Sequence, residues 1–365
     1  MRIAVTLVIM VVAAACTSSG TSTPTDTGPV TSTTLGEAQT TSPRDTTSTT
    51  QNPVTTPQPP TDTTIPTPQL FTYAVVAEER ARRLAVIDPA RPCLSDGATC
   101  DVAPVLTIEL PQRPHNLTGA GSVVYATHPA AGSISRVDLA TGDVLTVAVG
   151  TEPHDIKHAP TPGVLYVADE AGRKLLTVDP ETLGVLASVE LPAKAHDLAL
   201  GDDAVWVTLV GRAELARVEG TDVELIPTGG SPHDLIIDES GLIWFSNWNS
   251  DVLNIFDPTD GTTVEAPAGV AEPHHFTVAP DGTVWVSDNG GAVVVGFTIG
   301  GPVTIEVGPV PHHVKFVGDT LVVAVSGTGE AVLINDGRVI ARAGLTTGLH
   351  GVAVVELTGK LAALD

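Results

Sequence analysis

Pro232-His233-Asp234-Leu235-Ile236-Ile237 leads, after a turn, into Ile243-Trp244-Phe245-Ser246-Asn247. Forty-one residues after His233 the pattern returns as Pro273-His274-His275-Phe276-Thr277-Val278, then Val284-Trp285-Val286-Ser287-Asp288. Each run is short, rich in β-branched and aromatic residues, and bounded by Asp or Gly turns. That is strand-and-hairpin patterning, with no helical period of useful length. Outward from this stretch the histidine step recurs in Pro114-His115-Asn116, Pro153-His154-Asp155, Ala195-His196-Asp197, Pro311-His312-His313 and Leu349-His350-Gly351. Successive histidines lie 37 to 42 residues apart. A four-stranded propeller blade has a period of about 40–45 residues.

Within each period a second strand follows the histidine strand, as in Val123 to Ala126, Val164 to Ala168 and Leu321 to Val325. A third strand often ends in an acidic turn, such as Asp179-Pro180 or Asp257-Pro258, and a fourth strand closes the unit. The segment from Phe71 to Leu110 has three such strands and no histidine strand before them. His350 to Leu357 is a histidine strand with little after it. Joined, the two make a seventh blade, which removes an open sheet edge. The expected fold is therefore all-β: a seven-bladed propeller over residues 70–365, closed by N- and C-terminal strands that share one blade.

Residues 1–15 read as a signal peptide, with Arg2 followed by an apolar run too short to span a bilayer. Ala13-Ala14-Ala15-Cys16 resembles a bacterial lipobox, which makes Cys16 the expected lipidated residue; the alternative is an ordinary secretory signal. Residues 16–69 are dominated by Thr, Ser and Pro and bury too little apolar surface to fold, so they read as a tether. The expected location is the extracytoplasmic face of the cell membrane, held by the lipid alone. A net charge of −24 with only 18 Lys and Arg argues against nucleic-acid binding. Cys93 and Cys100 are expected to form a local disulfide in an oxidising compartment; the alternative is a two-ligand metal site.

In a propeller the first strand of each blade is innermost. His115, His154, His196, His233, His274, His312 and His350 should then ring one mouth of the channel, where imidazoles offer a site for a divalent ion such as Zn or Cu. Asp155, Asp197 and Asp234 are candidates to orient those imidazoles. Strand alternation sends His and the following Asp to opposite faces, so each Asp should serve a neighbouring blade. The competing reading is a structural ring in which imidazoles cap carbonyls between blades. Trp206, Trp244 and Trp285 share one repeat position and are expected to pack between blades. Trp248 and Asn247 fall in a turn near the mouth and are candidate ligand contacts. His128 and His158 are off the repeat register and are expected at the surface.

Leu165-Tyr166-Val167-Ala168-Asp169 and Asp179-Pro180-Glu181-Thr182-Leu183-Gly184 resemble the YVTN-type propeller repeats of surface and secreted proteins. The stretch from Pro232 to Asp288 is also similar to the virginiamycin B (streptogramin B) lyase family. That resemblance implies magnesium-assisted opening of a cyclic depsipeptide ester, with His233 and His274 at the family's histidine steps. The family's acidic second-strand position is Asn247 here, and Asp288 in the next blade. His233, His274 and Asp288 are thus the candidate catalytic set. The expected function is a monomeric, surface-anchored binding module for a small molecule, a metal (Mg, Zn or Cu) or a surface protein. The alternative is a lyase-like C–O bond-cleaving enzyme.

Overall fold

The computed structural model describes residues 69–90, 99–247, 250–266 and 269–361. The signal peptide, Cys16, the tether up to Pro68, Cys93 and Trp248 lie outside the described residues. Seven antiparallel sheets follow one another along the chain, and the only helical turn among the described residues is Pro129–Ala131. The innermost strands of blades 2 to 7 are Leu117–Ala120, Pro153–Ala159, Lys194–Leu200, Pro232–Ile237, Pro273–Val278 and Pro311–Val317.

Blade 1 is the composite one. Leu349–Thr358 is its innermost strand and pairs antiparallel with Leu70–Glu78, which is followed by Arg83–Ile87 and Leu106–Glu109. Eight residue pairs from Leu70 with Thr358 to Glu78 with Leu349 tie the two ends of the propeller together. One strand departs from the four-strand expectation. The long connection inside blade 1 sends Cys100–Val102 across to run parallel with Arg338–Gly344, making blade 7 five-stranded. It covers an outer edge whose unpaired amides would otherwise face water. Cys100 is disulfide-bonded; its expected partner Cys93 is outside the described residues.

The core is divided among the blades. Seven buried apolar clusters occur, and each joins one adjacent pair of blades, including blade 7 with blade 1. The three repeated tryptophans work across these interfaces. Trp206 meets Phe256 at a ring separation of 5.9 Å, Trp244 meets Phe297 within its own cluster at 5.3 Å, and Trp285 meets Phe316 at 6.4 Å. Burial of such large rings holds blade to blade, and leaves the axis free to be lined by polar groups.

Candidate metal centre at the channel mouth

A repeated backbone irregularity builds the site. In blade 4, Ala195 pairs with Leu209 and Leu198 with Val207, so His196 and Asp197 together oppose only Thr208. The same slip puts His233-Asp234 opposite Ser246, His274-His275 opposite Ser287, His312-His313 opposite Ala324 and His350-Gly351 opposite Ala77. This is a β-bulge, which bends the strand and re-aims its side chains. It corrects the simple alternation expected from sequence, because a bulge lets both His and its successor serve the lumen. In four blades a hydroxyl opposite the irregularity secures it. Thr127, Thr208, Ser246 and Ser287 accept the amides of Asn116, Asp197, Asp234 and His275 at 2.9–3.2 Å. Thr127 and Ser287 also donate to the carbonyls of His154 and His312 on the next blade.

The seven repeat histidines meet as a closed ring. Ring centroids are 4.6 Å apart for His115–His154, 3.9 for His154–His196, 4.1 for His196–His233 and 5.0 for His233–His274. They are 4.1 Å apart for His274–His312, 4.0 for His312–His350 and 3.5 for His350–His115. His154 Nδ1 lies 3.0 Å from the His196 carbonyl, so it carries the proton and donates. Its Nε2 is then a lone pair, and His115 Nε2–H donates to it at 3.0 Å. Burial pushes the pKa values of His154, His312 and His350 well below the ordinary histidine value, and that of His233 below it. Neutral imidazole, the form that ligates metals, is thereby favoured.

Carboxylates approach the ring at defined places. Glu170 Oε2 is 3.1 Å from His196 Nδ1, and its Oε1 takes Lys194 at 3.0 Å. The His196 contact is the main reason its pKa falls to about 2. Glu79 sits at the equivalent point of blade 1, 3.8 Å from His115 Nδ1, and its pKa is lowered first by that contact. Asp234 Oδ2 lies 3.1 Å from His233 Nδ1 and 3.0 Å from His274 Nδ1. Burial opposes its ionisation, but the two histidines hold its pKa well below the usual carboxylate range.

Behind the ring lies a second tier from the bulge partners: Asn116, Asp155, Asp197, Asp234, His275, His313 and Gly351. Gly351 is required there, because a Cβ would fall 2.6 Å from the His115 carbonyl oxygen. Asp155 and Asp197 accept the Leu198 and Leu235 amides of the following blades at 3.1 and 2.9 Å. They do serve neighbouring blades, though without turning away from the axis. Burial pushes the Asp197 carboxyl above the usual carboxylate range, while Lys157, close to both Asp155 and Asp197, opposes that shift. His275 and His313 stack at 3.9 Å.

Three groups hold ligand atoms within 4.8 Å of one another: His312 with His313 and His350, His154 with Glu170 and His196, and His196 with His233 and Asp234. These histidine and acid groups could hold a metal. In the first group, Nδ1 of His312 and of His350 are buried with no hydrogen-bond partner among the described residues.

The other expected site residues are placed differently. Asp288 accepts the amides of Ala271 at 2.8 Å and Gly291 at 2.9 Å, pinning the loop that leads into the blade 6 histidine strand. The carboxylate shared by His233 and His274 is Asp234. Asn247 is half-buried beside Gly230, and its Oδ1 is buried without a partner among the described residues. His128, expected at the surface, is 1 % exposed. It donates from Nδ1 to the Arg113 carbonyl, and Ser135 Oγ donates to its Nε2. It occupies the loop-pinning position that Asp169 and Asp288 fill in their blades. His158 is half-buried against Tyr125. Glu79, Glu170, His275 and His313 were not singled out from sequence; the signal for the two glutamates is their shared place two residues after Ala77 and Ala168.

No protein-family model matches the sequence, and no curated protein matches it. Solved structures do. A streptogramin B lyase is 17 % identical with a TM-score of 0.60, covering 66 % of this chain and 86 % of its own. Virginiamycin B lyase from Staphylococcus aureus is 16 % identical with a TM-score of 0.58, covering 65 % of this chain and 87 % of its own. Apo AztD from Citrobacter koseri is 12 % identical with a TM-score of 0.60, covering 80 % of this chain and 100 % of its own. The chain shares the β-propeller fold of these proteins.

Proposed function

We propose that the chain is a monomeric propeller binding module, held by a lipidated Cys16 at the outer face of the membrane, whose imidazole ring captures a divalent transition-metal ion. The observation that carries this reading is the pair of buried Nδ1 atoms on His312 and His350, unpartnered among the described residues, beside His313. Leaving a buried polar atom unpaired costs about 1–3 kcal/mol. A cation bound there removes that cost, and the low proton affinity of all three imidazoles lessens competition from protons. An all-nitrogen donor set suits Zn or Cu, whereas Mg calls for oxygen ligands. Titration calorimetry of the wild type and of the His312→Ala/His350→Ala variant tests the reading. Zn²⁺ and Cu²⁺ should bind the wild type and Mg²⁺ should not, with the double variant losing the site. Absence of Zn²⁺ and Cu²⁺ binding, or binding unchanged in the variant, overturns it.

A second reading, a lyase-like activity, is favoured by one observation: Asp234 sits between His233 and His274. In this reading an imidazole of the pair takes a proton next to a carbonyl, and anionic Asp234 orients and charge-balances it. One of the similar structures, a catalytically inactive virginiamycin B lyase, was solved with quinupristin. Ring-opening of quinupristin by the wild type, lost in His274→Ala, supports the reading; no turnover removes it.

A further inference from the structure

Each innermost strand continues past the ring. Three residues on, about 10 Å at 3.3 Å per residue, the channel opens into a cavity of about 330 Å³. That volume is at the lower end of the range of about 300–1,000 Å³ typical of small-molecule sites. Its wall includes Thr118, Lys157, Ala199, Ile236, Lys315 and Ala353, with Leu198, Leu235 and Phe276 behind them. Polar groups share the wall with these apolar side chains: Asp155, His158, His275 and His313 line it too, together with the two cations.

The cations are unusual for this chain. It has a net charge of −24 and five lysines, and two of the five line this one space. Lys157 is committed: its Nζ lies 2.5 Å from Asp155 Oδ2 and 3.3 Å from Asp197 Oδ1. Lys315, in the equivalent strand position of blade 7, is exposed to the cavity. Among the described residues, no carboxylate pairs with it. Asp155, the carboxylate that lines the cavity, is already paired with Lys157, so an ammonium group at Lys315, partly shielded from bulk water, favours a counter-anion of its own.

We propose that this cavity binds a small organic monoanion, a carboxylate on a compact apolar body, with its head on Lys315 and its body against the aliphatic wall. None of the seven ring histidines lines the cavity, although His313 borders both it and the candidate metal group, and the proposal does not rest on the metal reading. Benzoate is the probe, and benzamide is its neutral control. Titration calorimetry on the full chain should show benzoate binding, with benzamide at least tenfold weaker. Lys315→Met should weaken benzoate on the order of ten- to hundredfold, the range for a hydrogen bond to a charged group. Lys315→Arg should keep it, and His312→Ala/His350→Ala should leave it unchanged. No benzoate binding by the wild type, equal binding of benzamide, or Lys315→Met binding benzoate as the wild type does would each overturn the proposal. The benzamide arm needs no variant, so the test stands even where Lys315→Met fails to fold.

Discussion

Removing the last strand should cost nearly all of the propeller's stability. Deletion from Gly348 onward takes out Leu349, Val352, Val355 and Leu357, all 5 % exposed or less, and every pair that joins the chain's two ends. Four such side chains at about 1.5–3 kcal/mol each give about 6–12 kcal/mol, and a compact unfolded chain trims this to about 4–10. Whole domains hold only about 5–15 kcal/mol. The deleted protein should therefore lose its cooperative melt. A gentler version is Leu349→Ala, which empties a position shared by blades 1 and 7 and should cost about 2–5 kcal/mol. With an unfolding entropy of about 2.1 cal/mol/K per residue over some 290 residues, that lowers Tm by about 3–8 °C. Scanning calorimetry and urea melts measure both. A truncated chain with the intact protein's Tm and m-value refutes the closure argument.

Acid should destabilise the fold from just below neutral pH. His154, His233, His275, His312, His313 and His350 have folded pKa values lowered by burial, His275 to about 3. The unfolded chain then binds more protons, so stability is full above about 6.5 and falls as pH drops from there toward the folded values. Asp197 and Asp288, both raised by burial, work in the opposite sense but are two groups against six. Metal-free melts at pH 7.5, 5.5 and 4.5 should show falling Tm, and a flat profile contradicts the burial of neutral imidazoles. Asp288→Ala orphans the Ala271 and Gly291 amides, so Tm should fall by a loss of about 2 kcal/mol with Zn²⁺ affinity kept. Lost Zn²⁺ binding with an unchanged melt would place Asp288 in the site instead.

The fold was legible because the chain writes the same blade repeatedly. Even closure could be read, since Phe71 to Leu110 lacks an inner strand and Leu349–Thr358 supplies one. The inter-blade tryptophans could be read for the same reason. The site was less legible. A bulge is a shift of backbone register and leaves no mark in composition, so His196 and Asp197 were expected on opposite faces. Its trace is only the small or hydroxylic residue opposite, such as Thr208 or Ala324. Glu79 and Glu170 meet histidines of the next blade, a relation set by the angle between blades and not by sequence distance. Cys100–Val102 joined blade 7 through a short, half-polar segment with no strand-like run to announce it. His128 was missed because an uncharged imidazole can replace a carboxylate as a loop anchor.

Seven is an odd number, and for a closed ring of imidazoles that has a consequence of parity. Every ring histidine touches two others. In a cycle of seven, no pattern can alternate perfectly: wherever charged and neutral members take turns, one seam joins two alike. At most three members can carry charge with none adjacent. A fourth would set two cations about 4 Å apart, worth about 4 kcal/mol of repulsion at an effective dielectric of 20. An even-bladed propeller could charge half of its ring without such a seam. Here proton uptake by the ring has a built-in stop, and the seam gives an otherwise repetitive circle one place unlike the rest.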